Sequence, residues 1–138
     1  MALEIYLNFN GNCGEAVEFY SDVFGAEKQP IMTYGDSHPE TDFEIHQEAK
    51  NLVMHTFLMI CGSKVMFADA YPGMPFIQGN NISLTIVTKD RAEVESVFNK
   101  LKEGGKVEME LQETFWSKCY GYLVDKFGIG WQLSLDSE

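Results

Sequence analysis

Residues 3–9 alternate apolar positions (Leu3, Ile5, Leu7, Phe9) with Glu4, Tyr6 and Asn8, which is the period of a strand with one buried face. The period then changes. Asn12, with Glu15 three positions on, has the form of a capping box, and Ala16, Val17, Phe19, Tyr20, Val23 and Phe24 follow at helical spacing until Gly25 ends the run. The same succession returns about 78 residues later. Ile82, Leu84 and Ile86 alternate with Asn81, Ser83 and Thr85, then Asp90 opens a second helix with Glu93 three positions on, and Val94, Val97, Phe98 and Leu101 form its apolar side before Gly104 and Gly105.

Further strands read at about 28–35, 52–61 and 63–69 after the first helix, and at 106–113, 118–125 and 129–135 after the second. Two junctions have hairpin chemistry, Ile60-Cys61-Gly62-Ser63 and Asp125-Lys126-Phe127-Gly128, with glycine where a positive φ is required. The segment 35–51, rich in Asp, Glu, His and Pro, has no counterpart in the second half and reads as a surface loop, with a lid as its functional version. The pattern predicts an α+β chain made of two βαβββ modules, about 1–72 and 79–138. Together they would give a curved, cup-shaped mixed sheet with helices outside and a free inner face.

Composition narrows the function classes. A chain of 138 residues with 45% apolar side chains fits one globular domain with a real core. Its 21 acidic against 10 basic residues give a formal charge of −11 without a segregated basic patch, which argues against a nucleic-acid partner. Cys13, Cys61 and Cys119 are odd in number and lack CxxC spacing, so neither a disulfide framework nor a thiolate zinc site is indicated, and a reducing, cytoplasmic compartment is expected. The apolar runs near 52–61 and 82–87 are too short to span a bilayer, and the N-terminus lacks the basic start of a secretion signal.

Several runs together resemble one family. They are Tyr6-Leu7-Asn8-Phe9-Asn10-Gly11 leading to Glu15-Ala16 and Phe19-Tyr20, then Gly79-Asn80-Asn81-Ile82-Ser83-Leu84, Thr114-Phe115-Trp116, and Asp125-Lys126-Phe127-Gly128-Ile129-Gly130-Trp131. Across nearly the whole chain these resemble the PhnB-like branch of the vicinal oxygen chelate superfamily, which includes glyoxalase I, bleomycin-resistance proteins and fosfomycin-resistance enzymes. The resemblance implies paired βαβββ modules and a homodimer. Members are often labelled 3-demethylubiquinone-9 3-methyltransferase-like, yet the sequence carries no glycine-rich strand-to-helix loop followed by an acidic ribose-binding position.

Metal-dependent members supply His, Glu or Gln ligands from the first and last strands of each module. The matching positions here are Gln132 in the last strand, Asn81 with Ser83 one pleat further on at the start of the second module, Met66 at the repeat equivalent of Gln132, and Tyr6 (Ile5 without a gap) in the first strand. Tyr, Met, Asn and Gln make a poor set for a divalent cation. The expectation is therefore a metal-free, cofactor-free pocket for a small organic ligand, lined by Tyr6, Asn8, His55, Met66, Asp69, Asn81, Ser83, Trp116 and Gln132. The alternative is a glyoxalase- or dioxygenase-like enzyme whose cation would draw on His55, Asp69 and Gln132. Bland readings stand beside these: His55 as a hydrogen-bonded strand histidine, Asp69 as an acceptor for turn amides, Trp116 as mouth filler, the methionines as core filler, and His38 and His46 as exposed loop residues.

Overall fold

The computed structural model describes residues 1–37 and 49–136, so His38, His46 and most of the acidic loop lie outside the described residues. The chain divides into two compact units, Met1–Ile77 and Gln78–Glu138. Each is a βαβββ module.

The first unit runs β1 (Ile5–Phe9), α1 (Cys13–Phe24), β2 (Met32–Thr33), a single helical turn α2 (Tyr34–Ser37), β3 (Val53–Ile60) and β4 (Ser63–Asp69). Its sheet order is β1-β4-β3-β2, with β1 parallel to β4 and β3 antiparallel to both of its neighbours. Alternation in β1 acts as expected: Phe9 is buried while Tyr6 and Asn8 are exposed. Leu58, Phe67, Val17 and Tyr20 close the core beneath α1, with the Tyr20 and Phe67 rings stacked at 5.9 Å. Cys61 (φ 52°) and Gly62 (φ 81°) form the two-residue turn between β3 and β4. Consecutive positive φ values match the twist of the flanking strands, and only the glycine adopts one without strain.

Two local expectations change here. The strand expected over 28–35 contracts to Met32–Thr33, because the chain turns into α2, where Asp36 and Thr33 exchange side-chain-to-backbone bonds. Asn12 takes no part in a side-chain cap; the N-terminus of α1 is served by Asp69 instead.

The second unit runs β5 (Ser83–Thr88), α3 (Arg91–Leu101), β6 (Lys106–Gln112), β7 (Tyr120–Val124) and β8 (Gly130–Leu135), in sheet order β5-β8-β7-β6 with β5 parallel to β8. Asp90 caps α3 as expected, accepting from the backbone N–H groups of Ala92 and Glu93, whereas the Glu93 carboxylate accepts from the Thr88 hydroxyl rather than from Asp90. Phe98, Leu101, Leu123, Leu133 and Trp131 are buried beneath α3. Among the described residues no helix is long and apolar enough to cross a membrane.

Candidate functional site

In each unit the helix covers one sheet face, and the predicted site residues divide according to which face they occupy. In the first unit the register Tyr6↔Met66↔Phe57 sets these three side by side on the face turned away from α1, with Asn8 and Ala68 as the next cross-strand pair. His55, two residues before Phe57, shares that face. The Tyr6 hydroxyl lies 3.0 Å from His55 Nδ1, and the rings are tilted at 5.7 Å. Burial, opposing ionisation of the phenol, raises the Tyr6 pKa above its ordinary value.

Asp69 belongs to the opposite face. It pairs with Phe9 in register and is 2% exposed. Its Oδ1 accepts from the backbone N–H groups of Gly11 (3.0 Å) and Cys13 (2.9 Å), and its Oδ2 from that of Val53 (2.9 Å). One carboxylate thus ties the β1–α1 turn to the start of β3. Because the sheet lies between Asp69 and His55, these two side chains cannot close on one cation, and the ligand set His55, Asp69 and Gln132 is not assembled. The same carboxylate, after burial as the larger cause, pushes the Cys13 thiol up to about 12.

That shift gives a stability prediction with a definite sign. Below pH 9.0, the ordinary thiol value, Cys13 is protonated whether the chain is folded or not. Between there and about 12 the unfolded chain loses the proton and the folded one keeps it, so stability present below pH 9.0 falls as pH rises. Urea melts taken above pH 9.0 should show this loss against a melt at neutral pH, and Cys13→Ala should flatten it. Thiol titration at neutral pH should label exposed Cys61 rapidly, and buried Cys13 and Cys119 only after unfolding.

The second unit gathers Ser83 and Gln132 on the face turned away from α3. Gln132 pairs with Thr85 on one side and Tyr122 on the other. Its Nε2 donates to Ser83 Oγ at 2.8 Å, and its Oε1 accepts from the Tyr120 hydroxyl. Burial also raises the Tyr120 pKa, with neighbouring Tyr122 adding to the effect. Trp116 stands edge-on to Tyr120 at 5.1 Å and remains 53% exposed. Asn81 precedes β5 and is exposed, so Ser83, the next pleat, makes the contact with Gln132.

Asp125 is the second unit's buried carboxylate. Its Oδ1 accepts from Phe127 and Ile129 N–H, and its Oδ2 from the Trp131 indole at 2.8 Å. Sequence reading missed Tyr120, Tyr122, Phe57 and Lys64. The alternation Tyr120-Gly121-Tyr122 places two phenols on one face, and it was a signal available before the structure.

A divalent cation of the kind the family resemblance implies does not fit these groups. Among the described residues no three His, Cys, Asp or Glu side chains converge. The far faces offer amide, hydroxyl, thioether and ring, which are weak donors for a divalent ion, and a single imidazole, already in a hydrogen bond with a phenol.

Comparison with known proteins places the chain. The Escherichia coli K12 protein YjdN is 32% identical over 98% of this chain and 95% of its own length. The crystal structure of Pseudomonas aeruginosa PA1353 superposes with TM-score 0.82 at 34% identity, covering 98% of both chains. A PhnB protein from Bacillus cereus gives 0.77 at 31%, covering 98% of this chain and 99% of its own. The fold extends to the fosfomycin resistance protein FosX of Listeria monocytogenes. A mutant form of that protein, complexed with Mn(II) and 1S,2S-dihydroxypropylphosphonic acid, matches with TM-score 0.65 at 13% identity over 97% of this chain and 90% of its own. Residues 2–134 match the model of a single family, and the chain therefore belongs to the PhnB-like family described as 3-demethylubiquinone-9 3-methyltransferase.

Proposed function

We propose that this chain is a small-molecule-binding protein of the glyoxalase and bleomycin-resistance type, holding a compact, largely apolar or aromatic compound against the far face of its second sheet without a catalytic metal. The Gln132 amide, held at one end by Tyr120 and at the other by Ser83, carries this reading. Fixed at both ends, it keeps a second N–H, a second carbonyl lone pair and the Ser83 hydroxyl hydrogen for a ligand. Trp116 and Tyr122 add ring surface beside it at little cost in rotamer entropy, and in the first unit Tyr6, Phe57 and Met66 form a ring-and-thioether surface of their own. His55 and Asn8 contribute polar atoms, whereas Asp69 is committed to backbone amides.

The chain works in the cytoplasm as a homodimer on this reading. Exposed Phe115, Ile82 and Val87, at 97%, 75% and 61%, supply apolar surface for a second copy. A competing reading, a divalent-metal enzyme, draws on the manganese complex of the fosfomycin resistance neighbour.

A thermal-shift screen of small aromatic compounds separates them. Binding at 100 times the dissociation constant stabilises by about 2.7 kcal/mol, and that gain should shrink in Gln132→Leu and Trp116→Ala. If no compound raises the Tm of the metal-stripped protein and added Mn(II) restores the effect, the binding-protein reading is wrong.

A further inference from the structure

The first unit contains a cavity of about 400 Å³ at the β2 edge of its sheet, at the small end of the range for ligand sites. Pro30, Ile31, Met32 and Phe57 supply its apolar wall, and His55 and Lys64 also line it. The polar groups of that lining are unequal in what they leave for a ligand. Thr56 turns its hydroxyl to the Pro30 carbonyl at 3.1 Å, and Asp36 accepts from the Thr33 backbone at 3.2 Å. Lys64 has no ion-pair partner among the described residues; its Nζ lies 4.7 Å from the centre of the Phe57 ring. A ring quadrupole is a weak substitute for an anion, and a carboxylate arriving beside Phe57 offers that ammonium a full opposite charge.

His55 adds a ring nitrogen. Its Nδ1 lies 3.0 Å from the Tyr6 hydroxyl, which leaves Nε2 as the atom for a ligand, a donor in the tautomer that accepts from Tyr6 at Nδ1. An apolar wall, one ammonium and that nitrogen together select for a flat hydrophobic body ending in an acid.

We propose that this cavity binds a small aromatic carboxylate, with its ring against Phe57 and Met32 and its carboxylate on Lys64 and His55. The assignment rests on the binding role above and names a ligand class for its first unit. The Asp36 carboxylate, on the same lining, repels each negative charge a ligand brings while Lys64 offsets one, so the class is a monoacid.

The test uses 2-naphthoate and its neutral isostere 2-naphthamide, titrated calorimetrically into the full chain. The acid should bind about tenfold or more tightly than the amide, and the advantage should shrink as salt rises from about 20 to about 500 mM, since exposed charges are screened over a few ångströms at high salt. Lys64→Met should abolish the preference, Lys64→Arg should retain it, and Lys106→Met, an exposed lysine of the other unit, should leave it unchanged. Equal affinity of acid and amide for the wild-type chain overturns the proposal without any variant, as does a preference that survives Lys64→Met in a protein with a native circular dichroism spectrum. Amide and acid binding equally, with both weakened by Trp116→Ala, would remove the carboxylate cavity and leave the wider binding role standing; no binding of either, with the aromatic screen also blank, would remove both.

Discussion

Replacing Asp69 by alanine should lower the stability of the first unit by upwards of about 3 kcal/mol. The carboxylate is buried and accepts from three backbone N–H groups, those of Gly11, Cys13 and Val53. A buried donor left without a partner costs about 1–3 kcal/mol, more where the lost acceptor was charged, and the substitution strands three at once. Asp69→Asn keeps one oxygen but turns an NH₂ group toward an N–H donor, so it should recover only part of the loss. Because Trp116 and Trp131 both belong to the second unit, tryptophan fluorescence reports that unit alone. The Asp69→Ala loss should therefore appear as an earlier urea transition by far-ultraviolet circular dichroism. A midpoint equal to wild type would show that the carboxylate does not hold the β1–α1 turn to β3.

Gly105→Ala should be comparably severe in the second unit. A Cβ at this position would sit 2.3 Å from the Val124 carbonyl oxygen and 2.9 Å from the Asp125 Cα. Both are backbone atoms of the segment leading into the Asp125 turn, so no rotamer change relieves the overlap, and β6 must separate from β7. Overpacking against a side chain costs about 1–3 kcal/mol, and against a fixed ladder it should exceed that. Gly14→Ala is the counterpart: nothing lies within 4 Å of its Cβ, and it sits in the first turn of α1. It should stabilise by about 0.5–1 kcal/mol through helix propensity alone. Loss of the tryptophan-reported transition in Gly105→Ala, beside a raised midpoint in Gly14→Ala by circular dichroism, is the expected pair of results.

These two positions show which features the sequence carried and which it concealed. Period-two alternation revealed the faces of β1 and β5, because side-chain direction in a strand follows parity and needs no tertiary information. The Cys61-Gly62 and Asp125-to-Gly128 turns were legible for a similar reason: a positive φ is a local demand with a local residue to meet it. Asp69 was not legible as the support of α1. Its partners at Gly11 and Cys13 are 58 and 56 residues away, and the nearby capping box at Asn12 offered a local solution that the fold does not use. Gly105 looked like an ordinary helix stop, and its close approach to Val124 and Asp125 exists only once β6 and β7 are paired.

The candidate site divides along the same line. Ser83, Gln132 and Trp116 were chosen by type and family position, and the structure places Ser83 and Gln132 in one hydrogen-bonded chain with Tyr120, against which Trp116 stands. Tyr6 and His55, chosen separately, meet in a hydrogen bond on one face of the first sheet. Of Asn81 and Ser83, both named for the start of the second module, Ser83 meets Gln132; alternation gives both the same face and cannot say where along the strand the contact falls. Lys64 was passed over because a lone lysine beside a hairpin is ordinary; its meaning comes from Phe57 and the cavity it borders.

The measurement that bears most directly on this account is the affinity of the strongest aromatic ligand from the thermal-shift screen, determined before and after exhaustive chelation in wild-type and Gln132→Leu protein. Side-chain recognition predicts a dissociation constant that chelation does not change and that rises severalfold in Gln132→Leu. Affinity that disappears on chelation, returns with one equivalent of manganese and is indifferent to Gln132 would contradict it.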